Sequence, residues 1–276
     1  MNYQKENKLF SKKLFKSLIN LSRYRSRLYE GVVIDLRQRY IGSVLGMFWA
    51  ILFPLLQLSI LAGLYTVIFK VRPSGLSEWE YVLLVFSGLV PLLTFSAAVT
   101  TSSSSIIANK NLLLNTVFPA ELTPMRAALS AHVPGLSGLF ITLILAIILG
   151  KLSWQTIILV PVFWLLLMMF AIGLGWILSL FSLVLKDIQH GIGLILMLLT
   201  ILSPFAYTPE MVPEALKFVI YLNPLSYFVL SFQQIIAYGT WPDFVSATGS
   251  IMLGLGFFLL GYNIFLKGKL EFFDYV

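Results

Sequence analysis

Residues 155–181 read QTIILVPVFWLLLMMFAIGLGWILSLF, twenty-seven consecutive positions without a charged side chain. A helix needs about twenty apolar residues to cross the hydrocarbon core of a bilayer. Membrane β-strands instead alternate apolar and polar residues over about ten positions. The stretch therefore predicts a membrane-spanning helix, and similar stretches elsewhere extend this prediction to most of the chain.

The composition of the 276-residue chain agrees with a lipid environment. It is 58% hydrophobic and 11% charged, with a mean hydropathy of +0.89. A soluble domain usually carries about 25% charged residues. We therefore predict an all-α integral membrane protein.

Six stretches are predicted to cross the membrane, the first of them with Pro54 inside. Proline is tolerated in a span where neighbouring helices satisfy the freed carbonyl. The polar run TTSSSS at 100–105 is predicted to end the second span. The six spans cover approximately residues 44–69, 81–98, 127–149, 155–181, 192–206 and 247–266.

The segment 207–238 is apolar but too short and too interrupted by proline to cross twice. Pro213 and Pro224 each stand where a short helix can begin. We predict two short re-entrant helices before the last span. The alternative, one more full span, would disagree with the distribution of charge described next.

The basic residues predict the orientation. With six spans, fifteen of the nineteen lysines and arginines fall on the side of the N-terminus. The other side holds four, which are Lys70, Arg72, Lys151 and Lys217. Cytoplasmic loops carry the excess of basic residues in membrane proteins. Both termini are therefore predicted to be cytoplasmic, in a multi-pass protein of the bacterial inner membrane.

The first forty residues form a basic segment with ten lysines and arginines. Its polar character excludes a cleavable signal peptide. Leu28, Val32 and Leu36 recur at helical spacing, which predicts an amphipathic helix in the membrane interface. We expect one transmembrane domain over 1–276: segment 1–40 with the interface helix, six spans over 44–266, and a cytoplasmic tail at 267–276.

Several chemistries have no residues to support them. The chain has no cysteine and only two histidines, His132 and His190, far apart in sequence. It has no G-x-x-x-x-G-K-S/T phosphate loop, so it cannot hydrolyse ATP by that route. The six predicted spans contain no Asp, Glu, Lys or Arg, the groups on which ion-coupled transporters depend. We expect no catalytic site, metal or cofactor in this chain, and an energy source outside it.

Two predicted cytoplasmic loops carry mixed apolar and polar residues. Residues 106–126 contain the apolar Leu112, Leu113 and Phe118, and a short helix there would expose an apolar knob. Docking of a soluble partner and contact with lipid both remain open for this loop. The second loop, 185–191, has the pattern of an ordinary turn at the membrane boundary.

Aromatic residues make up 14% of the chain. Trp79, Tyr81, Trp154 and Trp241 lie at predicted span ends, where Trp and Tyr favour the membrane interface. Other aromatic rings could stack on the apolar faces of sugars along a substrate path, although packing between helices is the alternative for each. These candidate substrate-path residues are Phe48, Trp49, Tyr65, Phe205, Tyr207 and Tyr227.

The stretch DLRQRYIGSVLGMFWAILFPLLQ at 35–57 resembles the signature of ABC-2-type permeases that export polysaccharides. The pattern R-Y-x-x-S-x-L-G-x-x-W begins at Arg39 and leads into a span containing Pro54. Further motifs follow in the family's order: NKNLLLNTVFPAELTP at 109–124, LKDIQH at 185–190, and SPFAYTPEMVP with NPLSYF within 203–228. The likeness covers nearly the whole chain and is strongest to permeases of O-antigen exporters. One departure is Gln233 and Gln234, where many relatives carry a basic residue.

The resemblance implies a homodimer around a central pore, with two copies of a separate ATPase subunit that binds ATP and Mg²⁺. The substrate would be a lipid-linked polysaccharide, moved from the cytoplasm to the periplasm. The ATPase would dock on the interface helix and the two loops. The implied coupling residues are Asp35, Arg37, Arg39, Asn111, Asn115, Phe118, Glu121, Lys186 and Asp187.

Other functions stay open at this point. A permease of the same fold could export capsule, teichoic acid, drugs or other small molecules. A membrane-embedded glycan or lipid transferase would need catalytic carboxylates, and the acids here are few and scattered.

Overall fold

The computed structural model describes residues 24–64, 75–115, 119–185 and 187–272. Within these ranges all regular structure is helical and no β-strand occurs, which confirms the predicted all-α class. The α-helices, in chain order, are α1 (Arg25–Tyr40), α2 (Trp49–Gly63), α3 (Glu78–Ala108), α4 (Lys110–Asn115), α5 (Leu122–Ile148), α6 (Trp154–Val184), α7 (Asp187–Leu202), α8 (Lys217–Leu222), α9 (Pro224–Ile236) and α10 (Phe244–Phe272).

Five helical segments among the described residues are long and apolar enough to cross a membrane. They are Gly46–Gly63, Glu78–Ala108, Leu122–Ile148, Trp154–Val184 and Phe244–Lys269. Each overlaps one of the predicted spans, and most extend beyond the predicted ends. The part of the first predicted span from Tyr65 onward lies outside the described residues.

The predicted fifth span corresponds to α7, which has only 16 residues. Such a helix is about 24 Å long, shorter than the roughly 30 Å of bilayer hydrocarbon. The next apolar pair, Glu214–Leu222 and Pro224–Ile236, is bent by 97° at Asn223. Pro224 is the first residue of α9, as the sequence predicted. The bent pair is either one broken span or a re-entrant loop; by length and composition the described residues contain five membrane-length segments, or six if the pair is one span, with the shorter apolar α7 besides.

Helix α3 is the centre of the bundle. Every residue from Tyr81 to Leu92 is buried, and the helix packs against α5, α6 and α9. Burial on all sides explains why this segment is apolar around its whole circumference. Tyr81 was expected to face the membrane interface, and this prediction is wrong. Its side chain is only 1% exposed and its hydroxyl donates a hydrogen bond to the Ala206 carbonyl, 2.8 Å away.

The run TTSSSS does not end α3, which continues to Ala108. The hydroxyls bond to carbonyls of the preceding turn, as in Thr101 to Ala97 and Ser102 to Ala98. A Ser or Thr that bonds backwards in this way needs no water, so the helix can continue through a polar run.

Two capping boxes fix where α3 and α6 begin. The Ser77 hydroxyl accepts from the Glu80 amide, and the Glu80 carboxylate accepts from the Ser77 amide. Ser153 and Thr156 make the same exchange at α6. An ion pair of 2.6 Å between Lys151 and Glu80 joins the two starts. Helices α3 and α6 therefore begin at the same end of the bundle, with α5 running in the opposite direction.

Glycines allow α6 and α10 to touch along their backbones. A Cβ added at Gly261 would lie 2.1 Å from the Gly173 carbonyl oxygen. Close backbone approach through small residues is a common way for membrane helices to associate.

Glycines also form the corner between α1 and α2. Gly42 and Gly46 have φ of 81° and 50°, in the left-handed region that favours glycine. Gly46 is the glycine of the R-Y-x-x-S-x-L-G-x-x-W pattern that begins at Arg39. Its left-handed backbone explains why a glycine stands at this position of the pattern. Helix α2 packs mainly against α5 and leaves most of its surface exposed.

Candidate coupling surface and substrate path

An ion pair fixes α1 to the bundle. Arg126 Nε lies 3.0 Å from Oδ2 of Asp35, and both side chains are mostly buried. Arg126 Nη2 also donates a hydrogen bond of 2.9 Å to Oδ1 of Asn109, just after α3. One arginine at the start of α5 therefore connects the interface-helix candidate to the ends of two long helices.

The environment of Asp35 opposes its charge. Burial raises the pKa of Asp35, and the favourable influence of Arg126 and Arg39 only partly compensates. Gly31 makes room for the pairing, because a Cβ there would lie 2.4 Å from Arg126 Cδ. Leu28 and Leu36 are buried beside it, so two of the three predicted apolar positions of α1 form its packed face.

A second linkage lies at the same end of the bundle. Lys269 Nζ, near the end of α10, lies 3.2 Å from Oε2 of Glu121. Trp176 in α6 donates its indole N–H to the Glu121 carbonyl at 2.8 Å. Glu121, predicted from the loop motif, thus joins the start of α5 to both α6 and α10.

The remaining predicted coupling residues lie around this end. Arg37 and Arg39 are exposed on α1, and Asn111 is exposed on the short helix α4. Of the apolar residues predicted for a knob here, Leu113 packs partly buried against the core, and the Leu112 side chain lies outside the described residues. Leu114, which the sequence analysis did not single out, is 59% exposed. Asp187 is exposed in the first turn of α7. Phe118, Lys186 and the side chain of Asn115 lie outside the described residues. The end that carries these residues and the two linkages is called the coupling surface below.

The aromatic candidates lie in separate places. Phe48 is exposed at the α1–α2 corner, and Trp49 lines a cleft beside it. Phe205 and Tyr207 follow α7, where the Tyr207 hydroxyl donates to the Leu202 carbonyl at 2.7 Å. Tyr65 lies outside the described residues.

Tyr227 is wedged between helices. Its ring would collide with a Cβ at Gly249 of α10, and its hydroxyl donates to the Tyr221 carbonyl at 2.7 Å. Among the described candidates, Trp49 therefore lines the cleft at the α1–α2 corner, whereas Tyr227 packs between α9 and α10.

Gln233 has a structural role that the sequence did not predict. It is 3% exposed and donates hydrogen bonds of 3.0 and 3.2 Å to the carbonyls of Pro204 and Phe205. The departure from the family pattern at Gln233 and Gln234, which the resemblance had pointed out, was the available signal. A buried neutral amide can satisfy these carbonyls without the cost of burying a charge.

His132 is buried in α5, where Nδ1 lies 2.8 Å from the Ala128 carbonyl and the ring meets Trp164 edge-on. In the part of the chain that the structure describes, no group of three His, Cys, Asp or Glu could hold a metal ion.

These observations define a polytopic α-helical membrane protein with several membrane-length helices and a polar surface at one end. The model of the ABC-2 type transporter family matches residues 32–237, most of the chain. The chain therefore belongs to the ABC-2 type transporter family, whose members are transport subunits. This confirms the resemblance drawn from the motifs.

Curated relatives extend over most of the chain. An O-antigen export system permease protein RfbA of Klebsiella pneumoniae is 28% identical over 245 residues, covering 86% of this chain and 90% of its own. The protein of the same name from Myxococcus xanthus is 29% identical over 229 residues, covering 81% and 85%.

Proposed function

We propose that this chain is the membrane subunit of an ATP-driven exporter that moves a lipid-linked polysaccharide, O-antigen, out of the cytoplasm. It has no ATPase site of its own. A separate ATPase subunit supplies the hydrolysis and binds ATP and Mg²⁺. Two curated relatives carry the name of O-antigen export permeases, which supports the choice of substrate.

The observation that carries the coupling part of the proposal is the Asp35–Arg126–Asn109 linkage. A helix that only lay on the membrane could not pass a force to the spans. Here α1 is fixed to α5 and α3 by charged and hydrogen-bonded groups. A push from an ATPase on α1 or α4 would therefore move whole helices as rigid bodies.

The proposed topology has six crossings with both termini in the cytoplasm of the bacterial inner membrane. In it, α7 and the residues after it form the fifth crossing, and the bent pair is re-entrant from the outer side. The charge distribution supports this layout, with fifteen basic residues inside and four outside. It places the coupling surface in the cytoplasm.

The proposed pathway lies between two copies of the chain. Along α2 the exposed side chains of Phe53, Leu56 and Ile60 lie on one side of the helix and form an apolar face without a partner among the described residues. Pairing of two such faces would bring Phe48 and Trp49 of both copies toward a shared path. Rings lining that path would offer sugars flat apolar surfaces.

A permease for capsule, teichoic acid or a small molecule is the second candidate. Such a permease would use the same coupling surface, and only the substrate that passes between the two copies would differ. The family match is common to both, and the relatives' names favour O-antigen.

Measuring ATP hydrolysis tests whether the ATPase site lies on a separate subunit. The purified chain alone should hydrolyse no ATP, and co-expression with the exporter's separate ATPase subunit should give a stable complex that does. An ATPase variant without its catalytic carboxylate is the control for contaminating activity. Hydrolysis by the lone chain, or failure of the two proteins to associate, would contradict the proposal.

A further inference from the structure

A cleft of about 410 Å³ opens between α2 on one side and α3 and α5 on the other. This volume lies within the roughly 300–1,000 Å³ that is usual for small-molecule sites. Its floor is built from small side chains, including Ala97, Ala131 and Gly138. The Ser137 hydroxyl donates to the Ala50 carbonyl at 2.6 Å and holds α2 beside α5.

The end of the cleft at the α1–α2 corner is polar and positively charged. Arg39, Tyr40 and Trp49 line it, and each carries a hydrogen-bond donor. None of these three side chains forms a hydrogen bond or ion pair with a residue that the structure describes. Among the described residues that line the cleft, Arg39 carries the only formal charge. Asp35 lies one turn away from Arg39, which favours its charge from a distance, but its ion pair is with Arg126.

The remainder of the cleft is largely apolar, and the hydroxyl of its polar Thr94 donates to the Val90 carbonyl within α3. Phe53, Pro54, Leu58, Val90 and Leu93 line it, with Gln57 about 12 Å beyond Trp49 along α2. The site therefore combines a cationic, donor-rich mouth at one end of a spanning helix with an apolar channel that follows the helix.

We propose that this cleft binds one membrane phospholipid with an anionic phosphate headgroup. The phosphate would pair with Arg39 and accept from Tyr40 and Trp49, while one acyl chain occupies the apolar channel. Charge complementarity selects this occupant, because an acyl chain alone would not need the cationic mouth. Only the assignment to the cytoplasmic leaflet rests on the proposed function, through its topology; the binding itself does not.

A second groove on the same molecule provides an internal comparison. It lies between α5 and α6, where its lining includes Phe140, Leu143, Ile157 and Leu165, and contains no charged residue. Lipid that merely surrounds the protein would fill both grooves regardless of headgroup. A specific site predicts a headgroup preference in the α2 cleft and none in the α5–α6 groove.

The test uses the full chain in phosphatidylcholine vesicles with a trace of photoactivatable lipid that carries its reactive group along one acyl chain. Labelled residues are mapped by mass spectrometry for two probes, phosphatidylglycerol and phosphatidylcholine. The phosphatidylglycerol probe should label the cleft about fivefold more than the phosphatidylcholine probe, the ratio expected for one arginine at the membrane surface. The two probes should label the α5–α6 groove equally.

Variants separate a site from general attraction to the membrane. Arg39→Gln should bring the cleft ratio to about one, whereas Arg37→Gln, which removes an equal charge outside the cleft, should leave it unchanged. Ala97→Phe should lower cleft labelling by both probes, because its ring would occupy the channel.

A competition experiment uses the unaltered chain, so its result does not depend on whether a variant folds. Excess unlabelled phosphatidylglycerol should displace the probe, and inorganic phosphate should not. Equal labelling by the two probes, equal loss in Arg39→Gln and Arg37→Gln, or displacement by inorganic phosphate would overturn the proposal. None of these results depends on ATPase binding or glycan export, so failure here is distinct from failure of the proposed function.

Discussion

Arg126 holds Asp35 at 3.0 Å across the contact between α5 and α1, two residues that no local sequence pattern connects. The pair is mostly buried, and burial raises the pKa of Asp35 despite the arginine. The contact therefore fixes the position of α1 more than it adds net stability, as expected for buried ion pairs.

Arg126→Met should destabilise the protein by about 2 kcal/mol, because it leaves the carboxylate of Asp35 buried without its ion-pair partner and with only the weaker influence of Arg39. The double variant Asp35→Asn/Arg126→Met should recover part of this loss, since no charge then remains unpaired. Thermal unfolding in mild detergent measures both. Arg37→Met, on the exposed side of α1, is the control and should change little. A double variant less stable than Arg126→Met would contradict the account.

Gly261→Ala should lower the melting temperature strongly, because its Cβ would lie 2.1 Å from the backbone of Gly173 in α6. Gly256→Ala in the same helix meets nothing within 4 Å and should be neutral or stabilising by up to about 1 kcal/mol. Thermal unfolding of the two variants side by side isolates the helix contact. Similar melting temperatures would show that α6 and α10 do not touch at this point.

Asp243 should make the start of α10 sensitive to acid. Burial raises its pKa, but hydrogen bonds from Ser246 and Gln234 together lower it further, so the net pKa lies below its ordinary value. A lowered carboxylate pKa gives stability that is present above the unfolded pKa of about 3.9 and is lost as pH falls through the folded pKa. The melting temperatures of the unaltered protein and of Asp243→Asn should differ at pH 7 and converge in acid. A constant difference across this range would contradict the role of the charge.

Leu114→Asp should reduce recovery of the ATPase subunit about tenfold or more when the two proteins are co-purified. Leu114 is exposed on α4 at the coupling surface, where an apolar contact would be lost and a buried charge introduced. Met211→Asp makes the same kind of change in an exposed loop at the other end of the bundle and is the control. Equal recovery with Leu114→Asp would exclude α4 from the docking site.

Trp49→Ala should lower glycan export while leaving the complex with the ATPase intact, because its half-buried ring lies on the same side of α2 as Phe53 and Leu56, toward the proposed path between two copies. Trp176→Ala, whose buried indole is fully enclosed, should instead lower the yield of folded protein. Cell-surface glycan and membrane-protein yield are measured together. Unchanged export with Trp49→Ala would exclude this ring from the glycan path.

The sequence predicted the features that depend on local pattern. Continuous apolar stretches indicated the long helices, and Pro224 marked the start of α9. Local pattern could not show that α3 passes through TTSSSS, because the outcome depends on hydroxyls bonding within the helix. Local pattern also placed Tyr81 at the interface, because its burial and its hydrogen bond to the Ala206 carbonyl arise only in the folded protein.

At the candidate site, too, local sequence pattern predicted individual residues but not the partners that the fold brings to them. The motif pointed to Asp35 and Glu121, but not to their partners Arg126 and Lys269, which lie on helices that meet them only in the fold. Gln233 stood out as a departure from a pattern, yet its role in holding the Pro204–Phe205 carbonyls required the structure.

Transport in a purified system tests the central claim most directly. The chain and its ATPase are reconstituted in vesicles with a lipid-linked O-antigen, and passage of the glycan to the opposite leaflet is followed by its access to an added glycosidase. The account predicts ATP-dependent passage that needs both subunits and stops with a hydrolysis-deficient ATPase. Passage without the ATPase, or ATP hydrolysis by the complete complex with no movement of the glycan, would contradict it.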